Sequence, residues 1–126
     1  MGRTTGFLQK GYTAGGTITA RRFVKFGAAD GAVIQAVAAT SAIIGVQSEL
    51  SIVAGERASV AMVGNIEDVD FGGTITRGDP LTSDANGKAI KATTTGQFIA
   101  GFAEVSGVSG DIGTVILSPG VFAASA

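Results

Sequence analysis

The stretch that decides how this chain folds is Gly15-Gly16-Thr17-Ile18-Thr19, because the sequence writes it again as Gly72-Gly73-Thr74-Ile75-Thr76, 57 residues later. The echo continues outward from there. Asp30-Gly31, followed by apolar residues to Ile34, returns as Asn86-Gly87 running to Ile90, and Ile43-Ile44-Gly45-Val46 returns as Ile99-Ala100-Gly101-Phe102, both at an offset of 56. Gly55-Glu56, leading into Ser59-Val60-Ala61-Met62, returns at an offset of 55 as Gly110-Asp111, leading into Thr114-Val115-Ile116-Leu117. Order and spacing hold, with single-residue slips falling in loops. Two histories fit: an ancient duplication spanning residues 15–64 and 72–120, or two meanders that use the same turn chemistry. Either way, each half carries the same run of elements.

Composition says what those elements are. The chain has 126 residues, enough for one domain or for two small halves sharing a core. It holds 12 Val and 11 Ile against 4 Leu, with 13 Thr. β-Branched side chains are stiff at χ1 and pack well on a pleated face, so this balance favours strands over helices. Twenty Gly supply the positive φ of many tight corners. Alternation and turn residues place strands at residues 17–26, 32–38, 42–46, 58–64 and 66–71, then at 74–77, 80–83, 88–92, 98–105 and 112–118. Residues 32–42 are Ala-rich enough to compete as a helix, but Val33, Ile34 and Val37 and the bracketing turns favour strand. On residues 66–71, Ile66, Asp68 and Asp70 face one way and Glu67, Val69 and Phe71 the other. The expected fold is all-β: a small antiparallel β-barrel or two-sheet sandwich of about eight to ten short strands. It forms a single domain over residues 17–122, with an extended arm at 1–16 and a tail at 123–126.

Most familiar chemistry is excluded by counting. Cys, His and Trp are all absent, which removes disulfides, thiolate and imidazole metal sites, and Ser–His or Cys–His dyads. Charged residues are 15% of the chain, below the usual ~25%. The formal net charge of −1 offers no pull toward nucleic acid or acidic lipid. Glu67-Asp68-Val69-Asp70 is the one concentration of carboxylates. It reads either as a solvated edge strand or as a hydrolase pair made of Asp68 and Asp70. Asp84-Ala85-Asn86-Gly87 hints at a calcium loop, but that register puts Thr82 and Thr93 where an acid and a bidentate Glu are required, so a tight hairpin explains it instead. Arg21, Arg22 and Lys25 form a small basic group without interleaved aromatics, better suited to an acidic protein surface than to nucleic acid. Residues 31–48 carry no charge, yet polar and turn residues interrupt them, so no membrane span is expected. The opening residues lead into no apolar run, so no export signal is expected either. No catalytic, cofactor or metal residue is expected.

The stretches containing Ile43-Ile44-Gly45-Val46, residues 54–57, Ile99-Ala100-Gly101-Phe102-Ala103 and Gly110-Asp111-Ile112-Gly113, and above all residues 72–87, resemble the capsid cement (head decoration) proteins of tailed bacteriophages. The likeness covers residues 15–122. It implies a β-rich structural protein that adds to the outside of an assembled head, often as trimers, and stiffens it against internal DNA pressure. The implied partner is the major capsid protein, and the implied location is the outer capsid surface of the virion after synthesis in the host cytoplasm. The residues expected to touch the capsid or a neighbouring copy are Phe7, Leu8, Tyr12, Arg21, Arg22 and Lys25. A carbohydrate-binding or adhesin-like module is the alternative, though sugar sites favour exposed aromatic rings and this chain has no Trp and one Tyr.

Overall fold

The structure is a computed structural model and describes residues 9–123. Phe7, Leu8 and tail residues 124–126 lie outside the described residues. Ten strands follow in order: β1 (Gln9–Ala14), β2 (Phe23–Phe26), β3 (Ala32–Gln35), β4 (Ile43–Gln47), β5 (Arg57–Ala61), β6 (Ile66–Asp70), β7 (Pro80–Ser83), β8 (Ala89–Lys91), β9 (Phe98–Ala103) and β10 (Ile112–Val121). The first five close into a barrel in the order β1-β3-β2-β4-β5, and the last five form a sheet in the order β6-β10-β9-β7-β8. The all-β expectation therefore holds, in a form that combines one closed barrel with one open sheet.

The two sheets have the same topology. Advancing each strand of the first by five gives the second, except that the parallel β1–β3 pairing that closes the barrel shrinks to a single bridge, Phe71 to Ala89. Hydrogen bonds recur at the offsets of the sequence echo. Ala14 N–H donates to Glu56 C=O as Phe71 N–H does to Asp111 C=O, and Gly15 N–H donates to Val33 C=O as Gly72 N–H does to Ala89 C=O. A side-chain contact recurs too: Ser51 Oγ accepts from Ala20 N–H, and Ser106 Oγ accepts from Arg77 N–H. Gly45 and Gly101 occupy one position in the two halves. A Cβ there would strike the carbonyl oxygens of Ala61 and Ile116 respectively, so both strands need glycine to lie this close to their neighbour.

Four expectations change. Residues 9–14, assigned to the arm, form β1 and pair with β5 along five residues. Gln9, Lys10 and Thr13 are exposed there, Gly11 and Tyr12 are half-buried, and Ala14 is 2% exposed. Residues 17–26 are not one strand, because Arg21 adopts a positive φ of 59° that breaks the extended run before β2. Residues 74–77 form no strand, although Ile75 exchanges backbone hydrogen bonds with Gly107. One pairing, β1 with β3, is parallel, where antiparallel pairing was expected throughout.

The core has two parts. Ala14, Ile18, Val24, Val33, Ile52, Ala58 and Val60 fill the barrel. A larger cluster joins the outer barrel residues Phe23, Val46 and Ala61 to the interior of the second sheet at Val69, Phe71, Leu81 and Val115. The halves thus share one core and differ by exchanged volume. Phe71 stands where the barrel has Ala14, and Gly113 and Gly107 stand where it has Ala58 and Ile52. A Cβ on Gly113 would enter the Phe71 ring, and one on Gly107 would come within 2.8 Å of it. Gly113→Ala should therefore destabilise the protein by about 1–3 kcal/mol through overpacking. In a Phe71→Leu background most of that loss should disappear, giving a coupling of similar size in a double-mutant cycle followed by urea unfolding.

Candidate interaction surfaces

Of the six residues singled out from the sequence, the four that the structure describes do not converge. Arg21 and Arg22 turn inward on the join between the halves, where Arg21 Nε donates to Asp70 Oδ1 at 2.9 Å and Arg22 Nε to Asp70 Oδ2 at 3.1 Å. Their acidic partner lies in the same chain. Arg22 Nη1 and Gln35 Nε2 also donate to the carbonyl of Asn86, both at 2.9 Å. Asp70 is thereby a structural acceptor with both carboxylate oxygens engaged, and Glu67 of the same cluster is 1% exposed. The strand is not the solvated edge that its charges suggest. Asp84 serves its hairpin, accepting from Asn86 N–H and Lys88 N–H at 2.8 and 2.9 Å. Among the described residues, no group of three or more acidic side chains could hold a metal ion. No helix among them is long and apolar enough to cross a membrane.

Tyr12 and Lys25 lie on opposite faces of the barrel wall. Tyr12 packs on the barrel core at the end where β2 turns into β3. Its ring meets Phe26 edge-on at 6.5 Å between centroids, and Lys10 Nζ sits 5.6 Å from the Tyr12 centroid. Phe26 is 62% exposed and, with residues 27–31, lines a shallow hollow of ≈ 290 Å³. Lys10, Tyr12 and Phe26 make a cationic, aromatic mouth to the barrel. Alternation hides it in the sequence, since Tyr12 and Phe26 are 14 residues apart and meet only when β1 and β2 flank β3.

A second surface crosses the outer face of the other sheet. Register places Ile66 opposite Ile116, Ile116 opposite Phe102, and Phe102 opposite Pro80, in one continuous row. Ile116 and Phe102 are 41% and 43% exposed. On the next rung Asp68 lies opposite Thr114, whose hydroxyl donates to Glu104 Oε1 at 2.6 Å. The row is apolar with acidic residues beside it. Contiguous exposed apolar surface of this kind marks a contact site more often than a solvated face.

What the fold presents is a kind of β scaffold with exposed apolar surfaces and a central carboxylate tied into an ion pair. The family comparison names the kind: the sequence matches the phage cement protein family over residues 5–119, and the chain belongs to that family. Its members are structural proteins of the phage capsid, which gives this chain a capsid-associated decoration role. The fold also matches the head fiber gp8.5 N base of bacteriophage phi29, with a TM-score of 0.69 and 21% identity, over 88% of this chain and 93% of that one. A search of curated proteins finds no match.

The Arg21–Asp70–Arg22 bridge should carry measurable stability, because hydrogen bonds to charged groups contribute about 1.5–3 kcal/mol when partly buried. Asp70→Ala is expected to lower the unfolding free energy measured in urea by that amount. Adding Arg21→Gly should then recover about 1 kcal/mol, since the glycine adopts the positive φ without strain and no longer forfeits a bond to Asp70.

Proposed function

We propose that this protein binds the outside of an assembled phage head, contacts the major capsid protein, and stiffens the shell against the pressure of packaged DNA. It acts as a homo-oligomer, a trimer by preference, and performs no catalysis of its own. It is made in the host cytoplasm and engages neither nucleic acid nor membrane. The family match over residues 5–119 carries this reading. The two exposed apolar surfaces support it, as does a composition poor in the Lys and Glu that resist burial at interfaces. Attachment by several copies at once gains strength from effective concentration rather than from any single tight contact.

The contact with the shell involves residues at the N-terminus, including Phe7 and Leu8. A fair test must spare β1, since removing residues 1–16 would delete a wall of the barrel. Removing residues 1–8 leaves that strand whole. The truncated protein should fold, as judged by circular dichroism, and should lose at least tenfold in affinity for undecorated heads in a co-sedimentation assay. Unchanged affinity would discard the N-terminal contact. Failure of the intact protein to bind heads at all would discard the function.

A further inference from the structure

Each half carries two surfaces of the same kind, an outer row and a mouth, and the chain uses them asymmetrically. In the N-terminal half the row is Gln9, Ala61, Val46 and Phe23, joined by the same register as the exposed row of the other half. Ala61, Val46 and Phe23 are at most 1% exposed, because the C-terminal half covers them. That half receives them at its own mouth end, where Phe23 N–H donates to Gly87 C=O in the β7–β8 turn and Asp70 N–H donates to Arg21 C=O. The counterparts of Tyr12 and Phe26 there, Val69 and Ser83, are buried. So one row and one mouth are consumed inside the chain. The complementary pair is exposed: the row of the C-terminal half and the mouth of the N-terminal half.

We propose that copies of this chain associate head to tail, the row of Ile66, Ile116, Phe102 and Pro80 on one copy seated on the mouth of Lys10, Tyr12 and Phe26 on the next. The occupant is a second copy because the chain already makes this kind of contact once, between its own halves. Charge favours it as well. Lys10 stands at the mouth beside Tyr12, and Asp68 and Glu104 stand beside the row, so the contact brings a cation to two carboxylates. The contact between copies is weaker than the one within the chain, for two reasons. The barrel seam is already closed by Thr13 N–H donating to Gly31 C=O, and Pro80, standing where Phe23 stands, has no N–H to donate. Side-chain burial and charge are left, which makes the association reversible and salt-sensitive. A contact between unlike surfaces closes into a ring when its rotation allows.

This deepens the homo-oligomer of the proposed function, and because its test contains no capsid, it fails or succeeds separately from head binding. Phe102→Asp spoils the row and Phe26→Asp spoils the mouth, both at exposed positions. Light scattering of the whole protein should show a mass above the 12.5 kDa of one chain, and each variant should fall to a single chain that keeps the wild-type circular dichroism spectrum. Mixing the two variants should restore one intact contact and produce a species of two chains that high salt dissociates. Ile116→Asp and Lys10→Glu repeat the test should either first variant fail to fold. A wild type that stays at one chain, a folded variant that keeps the wild-type mass, or a mixture that yields no two-chain species overturns the proposal.

Discussion

The molecule turns on a short piece of backbone, Arg21 to Phe23, lodged in the seam of the second sheet. In the barrel, Thr13 N–H reaches Gly31 C=O directly and the wall closes. The corresponding atoms of the second sheet are Asp70 N–H and Gly87 C=O, and they do not meet. Arg21 C=O accepts from the first, and Phe23 N–H donates to the second. A buried backbone group left unpaired is strongly disfavoured, so this segment stands in for the missing strand contact and the second sheet depends on the first half for its closure. Phe23, fully buried by the insertion, contributes about 1.5–3 kcal/mol from apolar burial. The left-handed conformation of Arg21 costs about 1–2 kcal/mol, and the C-terminal half places Gly78 at the same point, with φ of 94°. An arginine is kept at the strained position because its guanidinium reaches Asp70. Strain, ion pair and inserted backbone are one arrangement.

That arrangement also keeps the seam insertion from being repeated between copies of the chain. If the halves were identical, every seam would be open and every Arg21–Phe23 segment would be free to enter one. Here the first seam is shut, and Pro80 replaces the donor that a further insertion would need. Proline is a common device for ending strand pairing at an edge. The deep, backbone-mediated contact is thereby spent within the chain, and shallower surfaces are left for other molecules.

How much of this the sequence discloses depends on how local each feature is. The echo at offsets of 57 to 55 is legible as the same run of strands in each half, and the turn at Asn86-Gly87 is set by backbone geometry within a few residues, whereas Gly45 and Gly101 answer to neighbours 16 and 15 residues away. Alternation placed Glu67, Val69 and Phe71 on one face, as found. It could not show that Glu67 would be buried, since a run of acids reads as solvated until its surroundings are known. Arg21 and Arg22 both read as part of a basic patch. Their acceptor, Asp70, is 49 and 48 residues away. β1 was assigned to an arm because Gln9, Lys10 and Gly11 give no clean period, and its pairing with β3 and β5 is entirely long-range. The interaction surfaces were harder still, because each is assembled by register across strands that are distant in sequence.

The bland composition then acquires a mechanical reason. Any surface that lies against a large partner loses side-chain freedom and hydration wherever it touches, and long charged side chains lose most of both. Ala, Thr, Gly and Val lose little. The few charges are therefore placed where they do something specific: Asp70 locks the halves with two arginines, and the remaining charges leave a net of +1 on residues 1–64 and −3 on residues 65–126. Such a dipolar distribution orients an approaching partner over about a Debye length without demanding that charges be buried. The rigid part, two β layers around one shared core, holds the apolar row and the aromatic mouth in fixed relation. Contacts that are individually weak can then be made together, and adhesion depends more on their geometry than on the strength of any one of them.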